Sequence, residues 1–269
     1  MPKTTIYGKF EVDPSYDEIK ALERDIAETR TYFEKKLSYI DAIDDTTLQL
    51  ICLFAMIDCL AQEEANYIGD PKTVFCQFVL KHQQQCDYLE CVEPITLYYH
   101  VEDLIDEVVP YPGFPPEKEI SIEDFGYLDS EPVKRAVATD KSQEILDYIK
   151  AKKGSAFADK KAKEHQFISL LYRMRSKSVH EMSGLGESMH FHSELKPTGP
   201  YYRDVGRLYV EGENCVSDNV VELVIPNAFV RSILLDCIDG YLSNCRNNRR
   251  LPFSNNHITR KPNLSWYDK

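Results

Sequence analysis

The chain has 269 residues, of which 43% are hydrophobic and 11% aromatic, so its composition indicates a globular protein and excludes a disordered one. Its 44 acidic residues outnumber its 32 basic residues, and the net charge of −12 argues against a general nucleic-acid binder. A chain of this length can form one large domain or two small ones. We interpret it as a single, mostly helical domain spanning residues 1–269.

Several features of the sequence predict a location in the cytoplasm. The 8 cysteines include no C-x2-C pair, and the amino terminus has no apolar stretch after its first lysine. We therefore expect free thiols in a reducing compartment and no zinc site. The most apolar run, residues 48–61, contains Gln49 and Asp58 and is too short to cross a bilayer. These observations predict a soluble cytoplasmic protein that does not contact a membrane.

Apolar residues recur at helical spacing through most of the first hundred residues. They predict helices over residues 15–39, 47–67 and 72–86, and a further helical turn that begins at Pro94. The second of these helices is apolar almost all round, which is typical of the central helix of a bundle.

Residues 107–130 interrupt this helical pattern. Four prolines lie in this stretch, at positions 110, 112, 115 and 116, so it cannot form a continuous helix. We predict a proline-rich inserted loop. The helical pattern resumes over residues 131–150, and Gly154 separates it from the next segment.

Residues 164–184 form the segment on which the functional interpretation depends. Its apolar residues recur at i, i+3, i+4 and i+7, which predicts one amphipathic helix ending near Gly184. These apolar residues are Phe167, Leu170, Leu171 and Met174.

The opposite side of this predicted helix is a polar stripe. Ser176 and His180 are neighbours one turn apart, and Arg173 lies a further turn back. Arg175 falls about 140° from His180 in an ideal helix, at the margin of the apolar face, where a charge needs a partner. An imidazole, a hydroxyl and a guanidinium group at one helix end could hold a phosphate. The alternative is that the stripe is the ordinary solvated face of an amphipathic helix.

The charge of the chain is unevenly distributed around this segment. Residues 134–177 carry twelve Lys and Arg against five Asp and Glu, whereas residues 1–133 carry ten against twenty-eight. A local positive patch on an acidic protein can attract a polyanion to one place. The lysines within residues 150–163 could equally serve only to solvate a helix.

The composition changes after Gly184. Residues 184–200 contain His190 and His192 in a predicted loop, and two histidines without a third ligand do not predict a metal site. Two stretches have strand composition, 201–210 and 220–225, with a polar turn predicted over 211–219. They predict a β-hairpin within residues 201–225, which is followed by a helix over 228–245 and a polar tail over 247–269.

The sequence YRMRSKSVHE at residues 172–181 resembles the signature of HEPN-domain ribonucleases. That signature is an Arg, usually followed by a polar residue, and a His after four to six intervening residues near a helix end. It matches Arg175, Ser176 and His180. The family more often has Asn, Asp or His after the Arg, so Ser176 is a departure. Residues 46–100 and 201–267 resemble bacterial HEPN-like proteins more loosely.

This resemblance implies a helical bundle of HEPN type and a metal-independent endoribonuclease without a cofactor. His180 would be the general acid and base, Arg175 would bind the phosphate, and Ser176 would orient a reacting group. Arg173 and Lys177 would hold adjacent RNA backbone. The resemblance further implies a homodimer with a composite active site, a role in phage defence or as a toxin, and an antitoxin or regulatory protein as a further partner.

Two other classes of protein stay open at this point. One is a HEPN-like module that binds RNA or a nucleotide and has lost catalysis, since Ser176 departs from the family pattern. The other is an interaction scaffold that directs its acidic first half at a partner protein. Binding of RNA without cleavage would indicate the first class, and a stable protein complex without RNA binding would indicate the second.

Overall fold

The structure is a computed structural model, and it describes residues 16–84, 89–102, 135–181, 189–190, 199–211 and 214–254. These residues are predominantly helical, which confirms the predicted mainly α class. The helices are α1 (Tyr16–Asp41), α2 (Thr46–Glu64), α3 (Pro71–His82), α4 (Pro94–Glu102), α5 (Arg135–Lys153), α6 (Ser155–Glu164), α7 (Phe167–Glu181) and α8 (Asn227–Asn247). The strands are β1 (Met189–His190), β2 (Tyr201–Glu211) and β3 (Asn214–Val224).

The boundary predicted for the segment that carries the HEPN-like motif is wrong at its start. One helix was expected from residue 164, but α6 ends at Glu164 and α7 begins at Phe167. The predicted inserted loop over 107–130 lies outside the described residues. The predicted tail over 247–269 is described only as far as Ser254.

The second predicted helix also ends earlier than expected, at Glu64 rather than Tyr67. Asn66 and Tyr67 adopt left-handed backbone conformations, with φ of 56° and 59°. Their N–H groups donate to the carbonyl oxygens of Glu63 and Gln62. This pattern satisfies the last carbonyls of a helix and stops it.

Residues 201–225 contain the predicted β-hairpin. β2 and β3 pair antiparallel from Tyr201↔Val224 to Glu211↔Asn214. The polar turn predicted over 211–219 is therefore too long, because Glu211 and residues 214–219 are paired in the two strands. β1 pairs in parallel with β3, so the sheet order is β1-β3-β2.

The chain divides into two compact units. The first unit comprises residues 1–42, 55–83 and 234–269, and the second comprises residues 43–54 and 84–233. Buried side chains of the first unit include Ile26, Phe33, Leu37, Phe75, Phe78 and Tyr241. In the second unit, a cluster of Leu97, Ile145, Ile149 and Ala158 joins α4, α5 and α6.

Within the described residues, α2 is the helix that is long and apolar enough to cross a membrane by length and composition alone. A buried core helix passes the same test. Leu50, Phe54, Ile57 and Leu60 are fully buried in the protein, and this burial pattern is that of a core helix.

The carboxylate of Glu64, at the end of α2, joins the helices of the first unit. Lys81 Nζ donates to it at 2.6 Å and Asn244 Nδ2 at 3.0 Å, while His82 Nε2 lies 3.0 and 2.9 Å from its two oxygens. Burial would raise the pKa of Glu64, but the hydrogen bonds from His82 and Lys81 outweigh it and lower the pKa to about 2. Glu64 therefore links α2 to both α3 and α8.

Gly240 allows α8 to approach the imidazole of His82. A Cβ atom at position 240 would lie 2.6 Å from His82 Cγ and 2.8 Å from His82 Cβ. His82 is buried, and its ring is held by Glu64 and packs edge-on against Phe78 at 4.8 Å between centroids. Because these contacts hold the ring, a side chain larger than that of glycine at position 240 would have to displace His82.

Replacing Gly240 with alanine should reverse the usual effect of this substitution in a helix. Alanine ordinarily stabilises a helix interior by about 0.5–1 kcal/mol relative to glycine. Here the added methyl group overlaps His82, so we expect Gly240→Ala to lower the free energy of unfolding by about 1–3 kcal/mol, measured by urea denaturation. In a His82→Ala background the same change should stabilise. A stabilising effect in the parent chain would contradict this packing.

Glu64 should make the protein sensitive to acid. Its folded pKa of about 2 lies below its ordinary value of 4.5, so its stabilisation is present above pH 4.5 and is lost as the pH falls toward 2. We expect Glu64→Gln to lower the free energy of unfolding at neutral pH by on the order of 3 kcal/mol. It should also flatten the acid limb of a stability-against-pH curve.

The matched control for Glu64→Gln is Glu23→Gln, which removes a carboxylate whose pair with Arg246 is exposed. Solvent screens that pair, so the control should have a much smaller effect. Equal effects of the two substitutions would show that burial of Glu64 does not strengthen its hydrogen bonds.

Candidate functional site

The apolar face predicted for α7 is confirmed. Its four predicted members are buried: Phe167, Leu170, Leu171 and Met174. Among the predicted site residues, Arg173 is exposed, whereas Arg175, Ser176 and Lys177 are half-buried. His180 belongs to the last turn of α7, and its side chain lies outside the described residues.

The start of α7 is attached to the segment between α3 and α4. The N–H groups of Phe167 and Ile168 donate to carbonyl oxygens within residues 89–93, at 3.0 and 2.9 Å. In return, the Glu93 N–H donates to the carbonyl of His165 at 2.8 Å. The first N–H groups of a helix have no partner inside it, and here another segment supplies the partners. This attachment determines where α7 begins.

The last four carbonyls of α6, at residues 161–164, all accept hydrogen bonds from groups beyond that helix. His165 covers the first two through its backbone N–H and its Nδ1, at 2.9–3.3 Å. Ser169 Oγ donates to the third at 2.8 Å, and Arg173 Nη2 donates to the fourth at 2.9 Å. Because Ser169 and Arg173 lie one turn apart, one side of α7 caps the end of α6.

Arg173 therefore makes a hydrogen bond that stabilises the fold, and the sequence alone does not predict it. The guanidinium group has five N–H donors, and the bond to the carbonyl of Glu164 uses one of them. A positive charge at this carbonyl also complements the negative end of the α6 dipole. The expected contact of Arg173 with RNA backbone stays a prediction.

The carboxylate of Glu164 neutralises part of the basic segment. Lys161 Nζ donates to it at 2.7 Å, and Lys160 Nζ lies 3.8 Å away. The hydrogen bond from Lys161 holds the pKa of Glu164 below its ordinary value. Lys161 is buried, and its Nζ also lies 5.5 Å from the centroid of the Phe157 ring. Lys161 is thus a structural lysine, although it belongs to a basic run of sequence.

Arg175 contacts an aromatic ring from the preceding turn of its own helix. Its guanidinium carbon lies 5.7 Å from the centroid of Tyr172. The face of an aromatic ring attracts a cation, and the spacing of i and i+3 places the two side chains on neighbouring positions. The sequence predicts that Arg175 needs a partner but does not identify it. The structure shows that Tyr172 is one such partner.

Ser178 is a further buried residue that sequence analysis does not single out. It is fully buried, and its Oγ has no hydrogen-bond partner within the part of the chain that the structure describes. A buried hydroxyl without a partner costs free energy. The sequence did contain a signal for this burial: Ser178 lies four residues after Met174, so it continues the apolar face of α7.

The described residues contain no group of three or more His, Cys, Asp or Glu side chains that could hold a metal ion. His190 pairs with Val224 through the backbone of β1. The side chain of His190 and the whole of His192 lie outside the described residues. The expectation of a metal-free site therefore stays a prediction.

Neither a protein-family model, nor a curated protein, nor a solved structure matches this chain. The HEPN-like motif at residues 175–180 thus remains the source of the functional interpretation. The structure adds the location of that motif, in the second half of α7, and shows that Arg173 of the same helix caps the end of α6.

The capping role of Arg173 can be measured as stability. We expect Arg173→Ala to lower the free energy of unfolding by about 1–2 kcal/mol, since it removes a charged hydrogen bond from an α6 carbonyl. Lys163→Ala is the control, because Lys163 is exposed in the same helix end and makes no ion pair with a described residue. Thermal unfolding of both variants gives the comparison. Equal free energies of unfolding for Arg173→Ala and Lys163→Ala would refute the capping role of Arg173.

Proposed function

We propose that the protein is an endoribonuclease of HEPN type that binds RNA along α7 and cleaves it without a metal ion. The observation that supports this proposal is the location of Arg175 and His180 in one helix, close to its end. This helix follows the lysine-rich end of α5 and all of α6. The spacing and the helix end both agree with the family signature.

The residue types suit cleavage by the neighbouring 2′-hydroxyl of the RNA. A base removes the proton from this hydroxyl, whose oxygen attacks the phosphorus, and the bond to the 5′-oxygen breaks. A guanidinium group can bind two phosphate oxygens and stabilise the additional negative charge of the transition state. The products are a 2′,3′-cyclic phosphate and a 5′-hydroxyl. Arg175 takes the role of phosphate ligand, and Ser176 orients a reacting group.

One imidazole cannot both accept the 2′-hydroxyl proton and protonate the leaving 5′-oxygen in the same step. A homodimer resolves this difficulty if both copies present His180 to one cleft. One His180 then acts as the base and the other as the acid. A twofold interface brings the same residue from each copy to the symmetry axis.

The biological role follows from the same proposal. Cleavage of cellular RNA stops growth, which is consistent with phage defence or with a toxin. An antitoxin or another regulatory protein would then keep the enzyme inactive in a healthy cell.

The decisive experiment incubates the purified protein with mixed cellular RNA in the presence of EDTA. We expect the parent chain to cleave, and His180→Ala to lose at least about a hundredfold in rate, because it removes the general acid and base. Lys36→Gln, which changes an exposed lysine of α1, is prepared identically and should cleave like the parent. A contaminating ribonuclease would be present in all three preparations, so loss of cleavage in His180→Ala alone excludes it.

Full activity of His180→Ala, with folding shown to be unchanged by circular dichroism, would refute the assignment of His180. Binding of RNA by the parent without cleavage would instead support the inactive binding module. Products ending in a 2′,3′-cyclic phosphate would identify the 2′-hydroxyl as the nucleophile.

A further inference from the structure

The cations of α5, α6 and α7 whose side chains the structure describes fall into two groups. Some have a described partner, such as Lys160 and Lys161 on Glu164 or Lys152 over the Tyr148 ring. Others have neither a carboxylate nor a ring within interaction distance among the described residues. This second group consists of Lys150, Lys153, Lys163 and Lys177.

Several cations of the first unit have a described partner. Arg24, Arg30, Lys81 and Arg246 pair with carboxylates there, and Lys35 and Lys36 lie over tyrosine rings. Residues 134–177 carry twelve Lys and Arg against five Asp and Glu, so carboxylate partners are scarce along α5 to α7. Lysines without a described carboxylate partner lie at the ends of α5 and α6 and in the second half of α7. An excess of unpaired cations gives this part of the protein a positive potential, which attracts a polyanion.

The exposed members of this group lie at the two ends of α6. Lys150 and Lys153 are in the last turn of α5, and Gly154 alone separates α5 from α6. Lys163 is in the last turn of α6. A helix of ten residues is about 15 Å long, and that distance corresponds to about four phosphates at a stacked spacing of about 3.4 Å.

The end of α6 is connected directly to the candidate site. Arg173 of α7 caps the carbonyl of Glu164 at 2.9 Å, one residue beyond Lys163. Lys177 lies one turn further along α7 than Arg173, in the direction of His180. In chain order, cations therefore lie at the end of α5, at the end of α6 and on the half of α7 that carries the motif.

We propose that Lys150, Lys153 and Lys163 form a surface along α6 that binds the phosphate backbone of RNA beside the candidate site on α7. We call these three residues the α6 lysine surface. This inference rests on the proposed ribonuclease function, because it extends the contact with RNA beyond the cleaved bond. Lysine ammonium groups bind phosphates without reading bases, so this surface adds affinity and not sequence specificity.

The test measures binding of a labelled single-stranded RNA, in the His180→Ala background so that cleavage does not consume the probe. The variant carries Lys150→Gln, Lys153→Gln and Lys163→Gln. Its control carries Lys35→Gln, Lys36→Gln and Lys72→Gln, three exposed lysines of the first unit. Both sets remove the same charge, so net charge cannot explain a difference between them.

We expect the α6 variant to lose about 10- to 100-fold in affinity at 0.1 M salt, because three phosphate contacts are removed. The slope of log K against log salt should decrease in magnitude by about 2, since each contact with a single strand contributes about 0.7. The control set should change neither quantity appreciably. An RNA too short to reach along α6 should bind the parent and the α6 variant equally.

Equal binding by the α6 variant and its control would overturn the α6 lysine surface, whether or not the parent cleaves RNA. Loss of binding in the α6 variant, combined with a parent that never cleaves, would retain the surface and refute the catalytic proposal. Binding of the parent to vesicles containing phosphatidylserine, without binding to RNA, would overturn the assignment of the ligand.

Discussion

The attachment of the α6–α7 junction to residues 89–93 is the constraint on which the candidate site depends. Backbone hydrogen bonds from Phe167 and Ile168 and to His165 determine where α6 stops and α7 starts. Once that break is set, Ser169 and Arg173 lie beside the free carbonyls of α6 and cap them. The position of the HEPN-like motif within α7 follows from the same start.

Among the described residues of the basic segment 134–177, some cations have a structural partner and others have none. Lys161 is buried against Glu164, and Arg173 closes a helix end, so neither is only a surface charge. The lysines at the ends of α6 lack a described partner. A count of charges along the sequence does not distinguish the cations that have a structural partner from those that do not. The proposed binding of RNA backbone therefore rests on the smaller set of lysines that have no partner among the described residues.

The first unit shows the opposite use of charge. Glu64 receives hydrogen bonds from Lys81, His82 and Asn244 at a partly buried position, where an unpaired carboxylate would be costly. The packing of Gly240 against His82 depends on that ring staying in place. Polar groups in this unit hold helices together, and Ser169 and Arg173 of α7 do the same at the end of α6.

Local periodicity allowed the sequence alone to predict the mainly helical class, the apolar face of α7 and the β-hairpin, because each pattern repeats within a few residues. It also indicated that Arg175 and His180 share one helix. Only the tertiary structure decided the break between α6 and α7, the capping role of Arg173 and the partner of Arg175. Glu64 and Asn244 are 180 residues apart, and no local pattern can relate them. Contacts of this kind depend on how helices pack, so neither residue spacing nor composition predicts them.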